Sequence, residues 1–175
     1  MIPPEKRFVQ IYTGGGKGKT TAAIGLAVRA AGHGLRTYVG QFMKGQVYGE
    51  LTDLENHPRI VIEQYGDPRC IRREEVTPMH VHQAEAGLAR AEAAMLSQHY
   101  DIVVLDEINV AVWFGLLPVE AVLDFLKKRP AAVEVVLTGR NAPEELLAAA
   151  DLVTEMKEIR HYYTKGILAR DGIER

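Results

Sequence analysis

Two short segments carry residue types suited to handling a polyphosphate. The first is Thr13-Gly14-Gly15-Gly16-Lys17-Gly18-Lys19-Thr20-Thr21. It approaches the phosphate-loop pattern of Gly, four residues, Gly-Lys-Ser/Thr, with Thr13 where the leading glycine would stand. Glycines let successive backbone N–H groups turn inward around phosphate oxygens. A helix starting near Lys19 adds the positive end of its dipole. In this reading Gly14, Gly15, Gly16, Gly18 and Thr21 belong to the cradle, Lys17 and Lys19 bring two positive charges, and Thr20 offers a hydroxyl to Mg²⁺. The competing reading, a glycine-rich turn with incidental lysines, sits poorly with a strand before it and a helix after it.

The second segment is Val103-Val104-Leu105-Asp106-Glu107, an apolar run ending in two carboxylates. Mg²⁺ is a hard cation that keeps several waters and takes one or two carboxylates. Asp106 is therefore a candidate metal holder, directly or through water. Glu107 is either a second metal ligand or the group that orients a water, as a hydrolase would need. A pair of acids that merely caps the next segment is the bland alternative. Lys19 and Glu107 are the candidate catalytic residues, and Thr20, Asp106 and Glu107 the candidate metal set.

Such residues need elements to hold them. The apolar runs Phe8–Tyr12, Thr37–Phe42, Ile60–Gln64, Asp101–Leu105, Val133–Leu137 and Leu152–Glu155 read as strands. Helices are expected over Lys19–Ala31, from Pro78 to about His99, from Pro118 to about Lys128 and from Pro143 to Ala150. Ile24, Val28 and Ala31 mark one face of the first helix, and Met79, Ala84, Leu88, Ala91 and Met95 one face of the second. The stretches 44–59 and 66–77 stay unassigned. Alternation of strand and helix, with strands apolar throughout, predicts a three-layer α/β domain with a mostly parallel central sheet. Ligands of such sheets sit at the carboxyl ends of the strands, where both segments fall.

The chain's 175 residues suit one compact domain over residues 1–175, and 47% apolar with 25% charged residues is ordinary for a globular protein. A net charge of −2 lacks the basic excess of a nucleic-acid binder. No run approaches the roughly 20 apolar residues of a membrane span. The single cysteine, Cys70, forms no internal disulfide and fits a reducing, cytoplasmic setting.

Taken with their neighbours, these segments resemble the P-loop ATP:corrinoid adenosyltransferase family. The resemblance runs from Thr13-Gly14 through Thr21-Ala22-Ala23, Arg29-Ala30-Ala31-Gly32-His33-Gly34, Gln41-Phe42-Met43-Lys44-Gly45, Val104-Leu105-Asp106-Glu107, Leu117-Pro118 and Thr138-Gly139-Arg140 to His161 and Lys165-Gly166-Ile167. It implies a RecA-like P-loop fold, often homodimeric. It also implies transfer of the 5′-deoxyadenosyl group of ATP to Co(I) of a corrinoid, with triphosphate leaving. Arg29, and less directly His33, match a stretch close to the nucleotide in that family. A flavoprotein reductant is a partner the resemblance leaves open. One departure concerns the corrinoid face: where some members carry Phe-x-Trp, this chain has Gly66-Asp67-Pro68-Arg69-Cys70-Ile71-Arg72-Arg73, with no aromatic residue. Trp113 is not read as an equivalent.

Attack of Co(I) on a carbon moves no proton, so the chemistry needs positioning and charge neutralisation, not a general base. Two other functions stay open: a P-loop ATPase or small-molecule kinase, and a nucleotide-gated corrinoid carrier without turnover. His80 and His82 read as solvated, Met79 and Met95 as core, and His161 as either packed or substrate-facing. Arg69, Arg72 and Arg73 read as a solvated loop face or as cations over a ligand.

Overall fold

In the computed structural model, residues 6–174 are described. Six strands form one sheet: β1 (Val9–Thr13), β2 (Thr37–Phe42), β3 (Ile60–Tyr65), β4 (Ile102–Asp106), β5 (Glu134–Thr138) and β6 (Leu152–Glu155). Their order is β3-β2-β4-β5-β1-β6, and every pairing is parallel. The fold is thus α/β and RecA-like, with a sheet parallel throughout. β5 stands between the strand leading into the phosphate loop and the strand carrying Asp106.

Helix α1 (Lys19–Gly32) crosses one face of the sheet, and α3 (Pro78–Leu96) and α5 (Val119–Lys127) cover the other. The central strands β2, β4 and β5 therefore bury both faces. In β4, Val103 and Leu105 join a core with α3 and α5, while Ile102 and Val104 join a core with α1. This double burial explains the unbroken apolar runs in the sequence.

The fully buried face of α1 is Ala23, Ala27 and Ala30; of the expected face, Ile24 and Ala31 pack half-buried against the same core, while Val28 is 50% exposed. Small alanines let the helix axis lie close to the strands. Lys19 starts the same buried stripe, at positions i, i+4, i+8 and i+11, so the packing of α1 points Lys19 at the strand ends.

Along α3 the buried stripe runs through His80, Ala84, Gly87, Leu88, Ala91 and Met95, and Met79 is exposed, contrary to its expected core role. His80 is buried, not solvated. At the third helical position it folds back so that Nδ1 accepts the Thr77 N–H at 3.0 Å, and its Nε2 meets Asp67 Oδ2 at 3.4 Å. That is a capping-box role, which fixes the start of the helix. His82 is exposed as expected.

Two helices lie in stretches not assigned from sequence: α2 (Gly49–Leu54) and α4 (Ile108–Trp113). The α4 run is rich in β-branched residues of low helix propensity, and burial of Ile108, Asn109 and Ala111 decides its conformation. Helix α6 (Glu144–Ala149) precedes the exposed edge strand β6. No helix among the described residues is long and apolar enough to cross a membrane.

Candidate active site

β1, β2, β4 and β5 end on one rim, and each delivers a polar group there. The phosphate loop leaves β1 and is pinned by the chain after β6: the Gly16 N–H donates to the Met156 carbonyl at 2.6 Å. A β-carbon at Gly16 would lie 2.6 Å from that same oxygen, so the position requires glycine. The loop closes on Lys19, whose Nζ donates to the carbonyls of Gly14 at 2.9 Å and Gly16 at 2.7 Å. Lys19 is buried, and burial lowers its ammonium pKa against the opposing pull of Glu107.

Asp106 is the hub of the rim. Its Oδ1 accepts the hydroxyls of Thr20 at 2.8 Å and Thr138 at 2.7 Å. Its Oδ2 accepts Lys44 Nζ at 2.8 Å and Gln41 Nε2 at 3.2 Å. The carboxylate is 1% exposed, and four donors, from β2, the turn after it, β5 and α1, fill it. Thr138 also accepts the Glu107 N–H at 2.9 Å, so β5 positions both acids from its place between β1 and β4.

Glu107 meets different surroundings. It caps α4 with φ of 61°, a left-handed conformation unfavourable for a residue with a β-carbon. Its carboxylate accepts no hydrogen bond among the described residues and faces the cavity over the loop. Burial raises its pKa first and the adjacent Asp106 carboxylate second, while Lys44, Lys19 and Arg140 oppose both.

That cavity has a volume of about 680 Å³, within the usual range for small-molecule sites. Lys17, Gly18, Lys19, Thr20, Thr21 and Glu107 line it. Asp106 lies beneath it, joined through Thr20. Lys17 does not point its charge freely into the cavity: Nζ pairs with Glu174 Oε1 at 2.7 Å and Tyr162 OH at 3.1 Å. Arg29 is not brought to the cavity. It is exposed in the last turn of α1, ten residues beyond Lys19 and so about 15 Å along the helix. His33 follows it at the C-cap, also exposed. A second cavity, of about 540 Å³ between α2 and the β3 edge, holds none of the loop or acid residues.

The rim also contains residues to which sequence reading gave no role: Gln41, Lys44, Thr138, Arg140 and the tail residue Glu174. The first four stand at or just past strand ends, which is the signal that could have found them. Nothing local marks Glu174, which arrives from the other end of the chain.

The phosphate loop on β1, the acid pair on β4 and the strand between them match the sequence family as well as the chemistry. The profile of the ATP:corrinoid adenosyltransferase BtuR/CobO/CobP family matches residues 5–175. The chain belongs to the ATP:corrinoid adenosyltransferase family. A corrinoid adenosyltransferase of Sinorhizobium sp is 38% identical over 174 residues, covering 97% of this chain and 81% of that protein. The corrinoid adenosyltransferase CobA of Salmonella typhimurium strain LT2 is 35% identical over 177 residues, with 97% and 86% covered. A corrinoid adenosyltransferase of Escherichia coli strain K12 is 32% identical over 176 residues, with the same coverage.

Within this adenosyltransferase family member, the aromatic-free loop 66–73 is ordered by Asp67, which accepts the Arg69 N–H at 2.8 Å. The loop's end reaches α4: the Arg73 guanidinium lies 5.7 Å from the Trp113 ring centroid, and Trp113 packs edge-on against Phe114 at 5.3 Å. Arg69 is solvated, at 82% side-chain exposure. His161 has a local role, its Nδ1 accepting the Tyr163 N–H at 3.1 Å and its ring lying 4.7 Å from that of Tyr162.

Proposed function

We propose that this protein transfers the 5′-deoxyadenosyl group of ATP to the cobalt of a reduced corrinoid, with inorganic triphosphate leaving. The observation that carries the reading is the rim itself: a loop lysine, a threonine and two acids of unlike environment converge on one cavity, in a chain of this family. In the reaction the Co(I) electron pair forms the bond to C5′. The C5′–O bond breaks, and its electron pair departs with the triphosphate. No proton moves, so the protein's tasks are grip, orientation and neutralisation of the leaving charge. Lys19, the loop N–H groups and Arg140 serve those tasks, and Lys17 joins once its ammonium leaves Glu174.

The donor set fits Mg²⁺. No cluster of three or more His, Cys, Asp or Glu side chains able to hold a metal occurs among the described residues. A cation that prefers waters, phosphates and one or two protein oxygens suits such a site. Thr20 Oγ1 and the unpartnered Glu107 carboxylate would hold it, and Asp106, its oxygens already filled, would orient Thr20. When bound, Mg²⁺ supplies charge neutralisation on the triphosphate. A single domain over the whole chain, a homodimer, a flavoprotein electron donor and a cytoplasmic setting belong to the same reading, supported by the family resemblance.

The test is an anaerobic assay with ATP, Mg²⁺ and chemically reduced cob(I)alamin. Light-sensitive adenosylcobalamin and equimolar triphosphate are expected, both lost in Lys19→Ala. ADP formed without corrinoid, and no cobalt–carbon product, would sink the reading in favour of an ATPase or kinase.

A further inference from the structure

One half-buried cation of the rim has no part in the chemistry above. Lys44 lies two residues past the end of β2, and its side chain is 14% exposed. The backbone before it is strained: Met43 has φ of 61°. That turn rests directly on the turn after β3. A β-carbon at Gly66 would lie 2.5 Å from the Met43 carbonyl carbon and against the Lys44 nitrogen, and the Met43 N–H donates to the Tyr65 carbonyl at 3.2 Å. The two turns therefore pin each other, and Lys44 is directed back over the strand ends rather than out to solvent.

Its ammonium reaches the two residues that organise the metal side of the site. Nζ donates to Asp106 Oδ2 at 2.8 Å and to Thr20 Oγ1 at 3.3 Å, and stands 5.1 Å from the Tyr48 ring centroid. The Thr20 hydroxyl gives its proton to Asp106, so its lone pairs face the Lys44 ammonium and the place a divalent cation would take, two positive charges on one oxygen. Lys44 and the cation thus compete for one oxygen. Lys44 also lines the same cavity as Lys19 and Arg140. A lysine suits both places, being a compact charge on a flexible stem with three donors.

We propose that Lys44 is a further substrate-contacting residue of the transfer reaction. Without nucleotide it holds the Thr20–Asp106 pair in place. When a divalent cation and triphosphate bind, it yields the Thr20 oxygen and donates to the phosphate oxygens of the leaving group. The inference rests on the phosphate-site reading above and deepens it.

The test uses the full chain, without corrinoid. Calorimetry measures inorganic triphosphate with Mg²⁺, and electron paramagnetic resonance measures Mn²⁺ on the nucleotide-free protein. In Lys44→Met, triphosphate should bind about tenfold more weakly or worse, as expected for a lost charged hydrogen bond. Mn²⁺ should bind the same variant more tightly, because its competitor is gone; a merely structural lysine would not produce that gain. If Lys44→Met does not fold, Lys44→Gln, one bond shorter, keeps a neutral donor toward Asp106, and the same two shifts are expected. Unchanged triphosphate and Mn²⁺ affinities in a folded variant would overturn the proposal. Lys19→Ala separates the two failures. If it too leaves triphosphate binding intact, the phosphate-site reading fails; if it abolishes binding while the Lys44 variants bind normally, only the role of Lys44 fails.

Discussion

Asp106 and Glu107 are neighbours in sequence, and the fold gives them opposite surroundings. Four donors hold Asp106 in place, whereas Glu107 is half-buried beside another carboxylate and, among the described residues, without a hydrogen bond. The two should respond differently to neutralisation. Glu107→Gln removes a like-charge clash and should stabilise the nucleotide-free protein by about 1 kcal/mol, the usual gain when a functional strain is relieved. The same change should cost about 100-fold or more in adenosyl transfer, on the scale of losing one preorganised electrostatic contact. Urea denaturation and the cobalt assay, run on one preparation, check both; a destabilised Glu107→Gln would contradict the account. Asp106→Asn should do the reverse to stability. It leaves the Lys44 ammonium buried without its counter-charge, at a cost of about 3 kcal/mol. A urea midpoint equal to that of the parent would show that the Lys44 pair matters less than its geometry indicates.

At the scale of elements, the chain after β6 occupies the phosphate loop that the proposed function gives to the nucleotide. Glu174 is bound by Lys17, by the Tyr162 hydroxyl and by Arg170 Nη2 at 3.1 Å, and Gly172, Ile173 and Glu174 form part of the cavity wall. A triphosphate that uses Lys17 must displace this carboxylate. Glu174→Gln should therefore tighten ATP binding by roughly two- to fivefold, the range set by exposed ion pairs, and raised salt should narrow the difference. Equal affinities at low salt would show that Lys17 takes no part in phosphate binding. This contact was beyond reach from sequence because it joins residues 157 positions apart through tail turns with no periodic pattern. What was legible is what periodicity and punctuation encode. Helices α3, α5 and α6 start within a residue of their expected prolines, and α1 ends one residue past the expected Ala31. Where burial overrode propensity, as in α4, or where alanine rather than a large residue faced the sheet, as in α1, the pattern misled. The loop and the acid pair were legible because each sits where a strand turns to helix. Lys44 and Arg140 carried only their place just past a strand end, a weaker mark because a lone cation there resembles any surface charge.

Across the whole molecule, the site depends on the outer strand β3, which carries the loop 66–73 and pins the Lys44 turn. A polar cluster secures that edge. Glu63 of β3 accepts the hydroxyls of Tyr38 in β2, at 2.9 Å, and of Tyr65, and pairs with Arg90 of α3 at 3.1 Å, so one carboxylate ties two strands and a helix. Burial works against its charge, but the Arg90 hydrogen bond first, then those of Tyr65 and Tyr38, outweigh it and hold its pKa below the ordinary glutamate range. In return burial and the Glu63 carboxylate push the Tyr65 hydroxyl up to about 12. The folded state therefore binds the Glu63 proton more weakly than the unfolded state does. Stability from this cluster is complete above the unfolded glutamate value of about 4.3 and drains away as pH falls through and below it. Glu63→Gln should be less stable than the parent by about 1 kcal/mol at pH 7, a modest figure because Arg90 is more than half exposed. The gap should close as pH falls below about 4.3. Urea midpoints for the two proteins from neutral to acid pH decide the matter. A gap that persists undiminished into acid would mean that the edge is held by apolar packing, with the carboxylate a bystander.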